Sequence, residues 1–405
     1  MSEFVENSFK TTVVESDAAL PSNKSLDFNI RYNSLEKLTF IQRFTAAYMF
    51  LEGIDGSGDI YCKDGITPCC GCGGGNCDKL TAVNKQASYF FLFNTMSGNS
   101  AVRCHFDGHP SEMQKWIGDT EEESYGCGSD HIVDFLFGYV GYEYHIRTDA
   151  NMFKKEIMTS LTVGNPIIVK VKSGDPRFYV ITGYNDNGLL CPDYRYVTYQ
   201  PGKGNVLADS PEKPPAYSEI DTLYIFGNKT ARRYTVKDGL MNICRVMECN
   251  INEGIWDGYL NKIGGNGKFF SDDGFDKITP MERTKRLKRL AETSRYLFNF
   301  VSFCNSICVN IPATMRDEYL YKELFGPSLS AFWEEVKVIS LFDDIVGAGH
   351  QINGFCCRDW PNADPSKIRE WSTEICETIT KAKAADIKLL GIMKQAIKIL
   401  NRTPS

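Results

Sequence analysis

Between residues 165 and 193 the chain reads NPIIVKVKSGDPRFYVITGYNDNGLLCPD, and no other stretch restricts the fold so tightly. β-Branched and aromatic residues come in short runs, separated by turn-forming groups at Ser173–Pro176 and Asn185–Gly188. Segments joined by turns this short can pair only as antiparallel neighbours, so NPIIVKVK, FYVITGY and GLLCPD are three expected strands. YEYHI, at 142–146, alternates as a strand does, and Glu219–Phe226 supplies one more. The intervening residues 200–217, QPGKGNVLADSPEKPPAY, read as a proline-rich loop.

Helical periodicity surrounds these strands. Leu35–Leu51 predicts an amphipathic helix burying Leu38, Ile41, Phe44, Met49 and Leu51. Asp78–Met96 predicts a second, with Leu80, Val83, Ala87, Phe90 and Phe91 inward and Gly98 as its stop. Further helices are expected from Ser111, from Ser129 (with Ile132, Val133, Leu136 and Val140 on one face) and over Asp149–Val163 up to Gly164. After about residue 235 only helices are expected. Thr279, Pro280 and Glu282 form a capping signature for one, and another runs from Asp364–Pro365 toward Leu400 through Ile368, Trp371, Ile375 and Ile379. Residues 1 to about 30 show little pattern and read as a loosely held arm. The expected class is therefore α+β, with a mixed unit over 1–235 and an all-helical unit over 236–405.

Composition excludes several functions. A net charge of −6 argues against a general nucleic-acid binder. No run approaches the ~20 apolar residues of a membrane span. MSEFVENSFKTTVVESD has no apolar centre, so no secretory signal is expected there and the cytoplasm is the expected compartment. In that compartment fifteen cysteines, an odd number, are expected as thiols, ligands or nucleophiles rather than a disulfide framework.

Five of those cysteines lie in the glycine-rich stretch YCKDGITPCCGCGGGNC, residues 61–77. Cys77 directly precedes the expected Asp78–Met96 helix, where unpaired N–H groups and the helix dipole favour a thiolate. A nucleophilic Cys77 is one reading, with Cys72 second. Backbone amides near Gly75, with Asn76 as a possible side-chain donor, could then hold an oxyanion. A buried small residue or a metal ligand is the other. Zinc could draw on Cys62, Cys69, Cys72, Cys104 and His105, with Cys70 and His109 nearby. The spacing C-x6-C-C-x-C-x4-C fits a zinc knuckle poorly, so no cofactor is expected and zinc is the lesser alternative. No GK[ST] follows the glycines, which removes a phosphate loop.

The order of parts (cysteine, helices, then antiparallel strands) resembles the papain-like cysteine peptidase superfamily, and within it the bacteriocin leader peptidase-like proteins. Their GxPVIVxV, HFVVVTGYDDDG and DP are matched here by NPIIVKV, RFYVITGYNDNG and CPD. Arg177 and Asp193 stand sixteen residues apart, the offset such proteins use between catalytic His and Asp. Residues 126–146 also resemble that family's helix and strand between Cys and His. With a helical half appended, the chain is similar to butirosin biosynthesis protein H-like proteins. The resemblance implies a papain-like fold and transfer of an acyl group from a carrier-protein thioester, through Cys77, to an amine. Asp193 would be the orienting carboxylate. A carrier protein or a peptide is the implied partner. Peptidase or amidohydrolase activity, or a non-catalytic cleft that binds peptide or carrier protein, are the alternatives.

One departure is chemical. Arg177 stands where the family has its general base, and a guanidinium cannot accept a proton near neutral pH. It could still stabilise a thiolate. His131, His145 and His350 are the remaining imidazoles that could act through space, although each also reads as a packed or solvated side chain. Asp193, after a proline, reads equally as a turn residue. The basic run Arg283, Lys285, Arg286, Lys288 and Arg289 reads as a solvated helix face that could instead meet an acidic partner. Phe332, Trp333, Trp360 and Trp371 read as helical-core aromatics.

Overall fold

The computed structural model describes residues 20–28, 30, 32–33, 40–54, 85–102, 130–172, 177–192, 194–200, 204–210, 213–263, 279–282, 284–285, 329, 332, 358 and 365–402. The protein is a mixed α/β chain with two fully antiparallel sheets, a third small sheet, and helices. In chain order the elements begin with β1 (Lys24–Ser25), β2 (Tyr32–Asn33), α1 (Phe40–Leu51), α2 (Lys85–Met96) and α3 (Asp130–Val140). There follow β3 (Tyr142–Arg147), α4 (Ala150–Thr162), β4 (Ile167–Val171), β5 (Phe178–Ile181), β6 (Gly183–Asn185) and β7 (Gly188–Leu190). The chain continues with β8 (Tyr194–Gln200), β9 (Gly204–Ser210), β10 (Ile220–Lys229), α5 (Val236–Asn252), α6 (Ile255–Ile263) and α7 (Pro365–Arg402).

The central sheet has the order β3-β10-β4-β5, antiparallel throughout. Its side chains alternate between two buried layers. Ile168, Phe178, Val180, Tyr224 and Phe226 join the core formed with α1, α2 and α3. Ile167, Val169, Ile181, Leu223 and Ile225 join Phe153, Ile157 and Leu161 of α4 on the other face. Covering on both faces is why PIIV and TLYIF read as continuous apolar runs rather than strict alternations.

The strand expected over FYVITGY divides at Thr182. β5 stays in the central sheet, whereas β6 turns away to form a hairpin with β7. The expected turn at Asn185–Gly188 closes that hairpin, with Asn185 Oδ1 accepting from Asn187 N at 2.8 Å. Ser173–Pro176 lies outside the described residues. The helix boundaries at Gly98 (φ 85°), Asp149 and Gly164 (φ 95°) also match expectation, and Asp149 accepts from Asn151 N at 3.0 Å. Thr279 Oγ1 accepts from Glu282 N at 3.2 Å, the expected cap.

Three expectations are corrected. The N-terminal arm is not loose where it is described. β1 pairs with β6, Phe28 stacks on Phe50 at 4.9 Å, and Ile30 is fully buried. The 200–217 loop contains β9, which pairs along its whole length with β8. That strand, GNVLADS, has little apolar alternation, and its partner rather than its composition determines it.

The third correction concerns α1, which is not amphipathic. Every residue from Phe40 to Met49 is buried, including Gln42, Arg43 and Thr45. A helix apolar on nearly every side belongs in the middle of a layer, and α1 lies against β4, β5 and α2. Phe44 joins four elements: its ring meets Phe93 of α2 at 5.4 Å, Phe137 of α3 at 5.1 Å and Phe226 of β10 at 5.5 Å.

The expected boundary near 228–240 coincides in sequence with the link from β10 to α5, but the packing does not separate two units there. α5 binds back onto the first unit: Asn242 donates to Met96 O at 3.2 Å and Asn250 to Ala101 O at 2.7 Å. α7 then packs on α5 and α6 and brings Ala385, Leu389 and Met393 into the same core as α1. Trp256 Nε1 donates to the buried Asp386 Oδ2 at 2.8 Å across that packing. Among the described residues no helix is long and apolar enough to cross a membrane.

Phe44→Ala removes the ring shared by these elements, and truncation of a buried Phe costs about 3–5 kcal/mol. Urea unfolding should show a loss of that size. A loss below about 1 kcal/mol would mean that α1 is not the packing centre.

Candidate functional site

Arg177 is exposed at the head of β5, where its carbonyl accepts from Val171 N at 3.1 Å. The next residue, Phe178, is buried. Its ring meets Phe40 edge-on at 5.6 Å, and its carbonyl accepts from Arg43 Nε at 2.9 Å. The first turn of α1 therefore abuts the strand head that carries Arg177. Arg43 is thereby buried against the strand whose first residue follows the exposed Arg177.

The helix that meets β5 is α1. α2 packs on α1 and α5 instead, and its described part begins at Lys85, eight residues beyond Cys77. Cys77, Gly75, Asn76 and Asp193 lie outside the described residues, as do Cys62, Cys69, Cys70, Cys72, Cys104, His105, His109 and His350. Among the described residues no group of three His, Cys, Asp or Glu is arranged to hold a metal.

His131 is on the first turn of α3, between the backbone of Ser97, the Phe135 ring at 6.3 Å and Arg245 of α5. Burial lowers its pKa below the ordinary 6.5, against a hydrogen bond donated to the Ser97 backbone carbonyl that raises it, so the neutral ring predominates at pH 7. His145 is half-buried in β3, opposite Ile225. α3 packs beside β3, one edge of the central sheet, whereas β5 is the other edge. Four strands spaced ~4.8 Å put those edges about 14 Å apart. His145 thus lies in the sheet edge away from Arg177, whereas the neighbours of His131 belong to α3, α5 and the turn after α2.

Four thiols are described, Cys191, Cys244, Cys249 and Cys376, and two of them have raised pKa values. Burial pushes the Cys244 thiol up to about 11, with Glu248 adding to the shift. Burial also raises Cys376, and Cys249 Sγ donates to Glu253 Oε1 at 2.9 Å. Of the basic run only Lys285 is described, and Arg358 sits over the Trp371 ring at 5.1 Å. Phe332 is partly buried against the main core, while Trp333 and Trp360 lie outside the described residues.

The densest polar constellation among the described residues was not signalled by any motif. Asp134 of α3 accepts from Tyr234 Oη at 2.5 Å, from Arg233 at 2.8 Å and from Tyr144 Oη at 3.1 Å. Burial alone would raise the Asp134 pKa. The three donors and the charge of Arg233 outweigh burial and hold it below its ordinary value. The hydrogen bond to Asp134, followed by burial, raises Tyr234. About a hundred residues separate Asp134 from Arg233 and Tyr234, and no local pattern encodes a pairing at that distance. The cluster ties α3 and β3 to the chain leaving β10, and it is a clasp rather than an open site.

Compared with family models, curated proteins and solved structures, the chain shows no significant match to any of them.

The clasp has a pH signature. Because the folded-state pKa of Asp134 is depressed, its contribution is present above the ordinary 3.8 and is lost as pH falls through the folded value. Asp134→Asn should cost about 1–2 kcal/mol at pH 7, since hydrogen bonds to a partly exposed charge are weakened. That difference from the parent should shrink below the ordinary carboxylate pKa. Urea unfolding at pH 7 and pH 3 tests this, and a difference that is the same at both would contradict it.

Proposed function

We propose that the mixed unit is a papain-like domain followed by a helical one, and that the chain is a cysteine-dependent acyltransferase that forms amides. In this reading the Cys77 thiolate attacks the carbonyl of an acyl thioester, held by a carrier protein, and expels the carrier thiolate. Backbone amides near Gly75 and Asn76 hold the oxyanion as charge develops. An amine then attacks the Cys77 thioester, giving an amide and returning the thiolate, with one proton released. Arg177 stabilises the thiolate by charge, and Asp193 orients the groups at the strand end. Exchange between thiolates needs less proton transfer than amide cleavage does, so a site without a general base suits acyl transfer better than peptidase chemistry.

The observation that carries this reading is the fold of residues 167–190. The segments on which the resemblance rests form consecutive antiparallel strands, and Arg177 is exposed at the strand head beside a buried helix.

A second reading is favoured by His145 lying in the sheet edge opposite β5, and by Arg177 itself, which cannot act as a base. A cleft in which no imidazole reaches Arg177 could hold an anionic peptide or carrier segment without reacting.

Intact-mass analysis after incubation with a panel of acyl thioesters separates the two. Acyl transfer predicts a single adduct that Cys77→Ala abolishes and Cys72→Ala leaves in place. Arg177→Ala should slow alkylation of Cys77 by iodoacetamide at pH 7 by about tenfold, as a thiolate losing one neighbouring cation would. No adduct across the panel, or an adduct indifferent to Cys77→Ala, would leave only the binding reading.

A further inference from the structure

The second half of α7 separates charge in a way that the contacts of the described residues do not use. From residue 381 to 402 it carries Lys381, Lys383, Lys388, Lys394, Lys398 and Arg402, against one carboxylate, Asp386, in a chain of net charge −6. Asp386 is buried and bonded to Trp256. Two of the cations fasten the helix: Lys383 pairs with Asp257 at 2.5 Å and Lys394 with Glu248 at 2.6 Å. Lys381, Lys388, Lys398 and Arg402 are exposed and form no ion pair with the described residues. At 100° per residue those four fall within roughly 100° of arc, in a row about 31 Å long. The helix dipole accounts only for Arg402 in the last turn.

A second observation comes from the middle of the same row. Gly391 is exposed in the interior of the helix, where glycine costs about 1 kcal/mol relative to alanine. A Cβ there would meet no atom of the described residues within 4 Å, so none of them requires its absence. Ala384 shares the row, and Ile387 beside it is 47% exposed. Small residues flanked by cations, with an apolar side chain at the margin, suit a backbone that lies close along α7.

We infer that this face of α7 docks an acidic amphipathic helix of another protein. A second copy of the chain is unsuited, because two identical basic rows repel. Nucleic acid and anionic membrane are broad polyanions, and the row is only one helix wide, bordered by the carboxylates Glu248 and Asp257. A helix with glutamates on one face meets the row alone, and Gly391 and Ala384 allow the close approach. The inference does not depend on Cys77.

The test uses the full chain and a fluorescent, alanine-based helical peptide of about 22 residues, matched to the row's length, with glutamates on one face. Anisotropy should show binding that weakens as salt rises. The triple variant Lys381→Glu, Lys388→Glu, Lys398→Glu should lose at least about tenfold in affinity, while Lys285→Glu changes nothing. Gly391→Leu should lose as much with an unchanged circular dichroism spectrum. Gly391→Ala should raise Tm and weaken the peptide. No binding at low salt, a triple variant that binds as the parent does, or Gly391 variants of unchanged affinity would overturn the inference. So would tighter binding of duplex DNA or phosphatidylserine vesicles through the same lysines.

Discussion

The fold depends on a helix with almost no outside. α1 is buried from Phe40 to Met49, and the remaining layers arrange themselves around that fact. Its ring at Phe44 contacts α2, α3 and β10, so sequence-distant elements lose water together or not at all. Such a helix must also accommodate its polar residues internally. Arg43 does so by donating to the carbonyl of Phe178, and Thr45 by donating to Ile41 O at 2.7 Å. Burying a guanidinium costs several kcal/mol unless it is hydrogen-bonded, so Arg43 fixes where α1 can sit along β5. Packing supplies the stability, and one buried cation sets the register.

What could be read from the chain follows from whether its cause is local. Asp149, Gly98 and Gly164 mark helix ends because capping and positive φ are properties of one turn. The strands over residues 167–190 were readable because short turns leave no other pairing. The sidedness of α1 was not readable: Gln42, Arg43 and Thr45 look like a polar face until β4 and β5 cover them. β1 and β9 escaped for the related reason that each is a strand only through its partner. The Asp134 clasp unites residues about a hundred positions apart, and a sequence holds no cue at that range.

The corner at the head of β5 was legible in part. The resemblance directed attention to Arg177 before any geometry, and that residue is exposed at a strand head. The buried Arg43 beneath it was not foreseen, because an arginine within an apolar helix gives no sign of which carbonyl it will reach. Its hydrogen bond ties the first turn of α1 to the strand head, so the position of Arg177 depends on a contact that links residues 43 and 178.

The same separation of buried and exposed charge recurs at the other end of the chain. In α7 the apolar side is given to the shared core, and Lys383 and Lys394 close the seams with α5 and α6. The cations left over are not needed for docking, and like charges along one helix face oppose its formation slightly. Gly391 adds a further cost on the same face, with no compensating contact among the described residues. Two unfavourable choices on one exposed row point the same way: both become favourable once a negatively charged helix covers them.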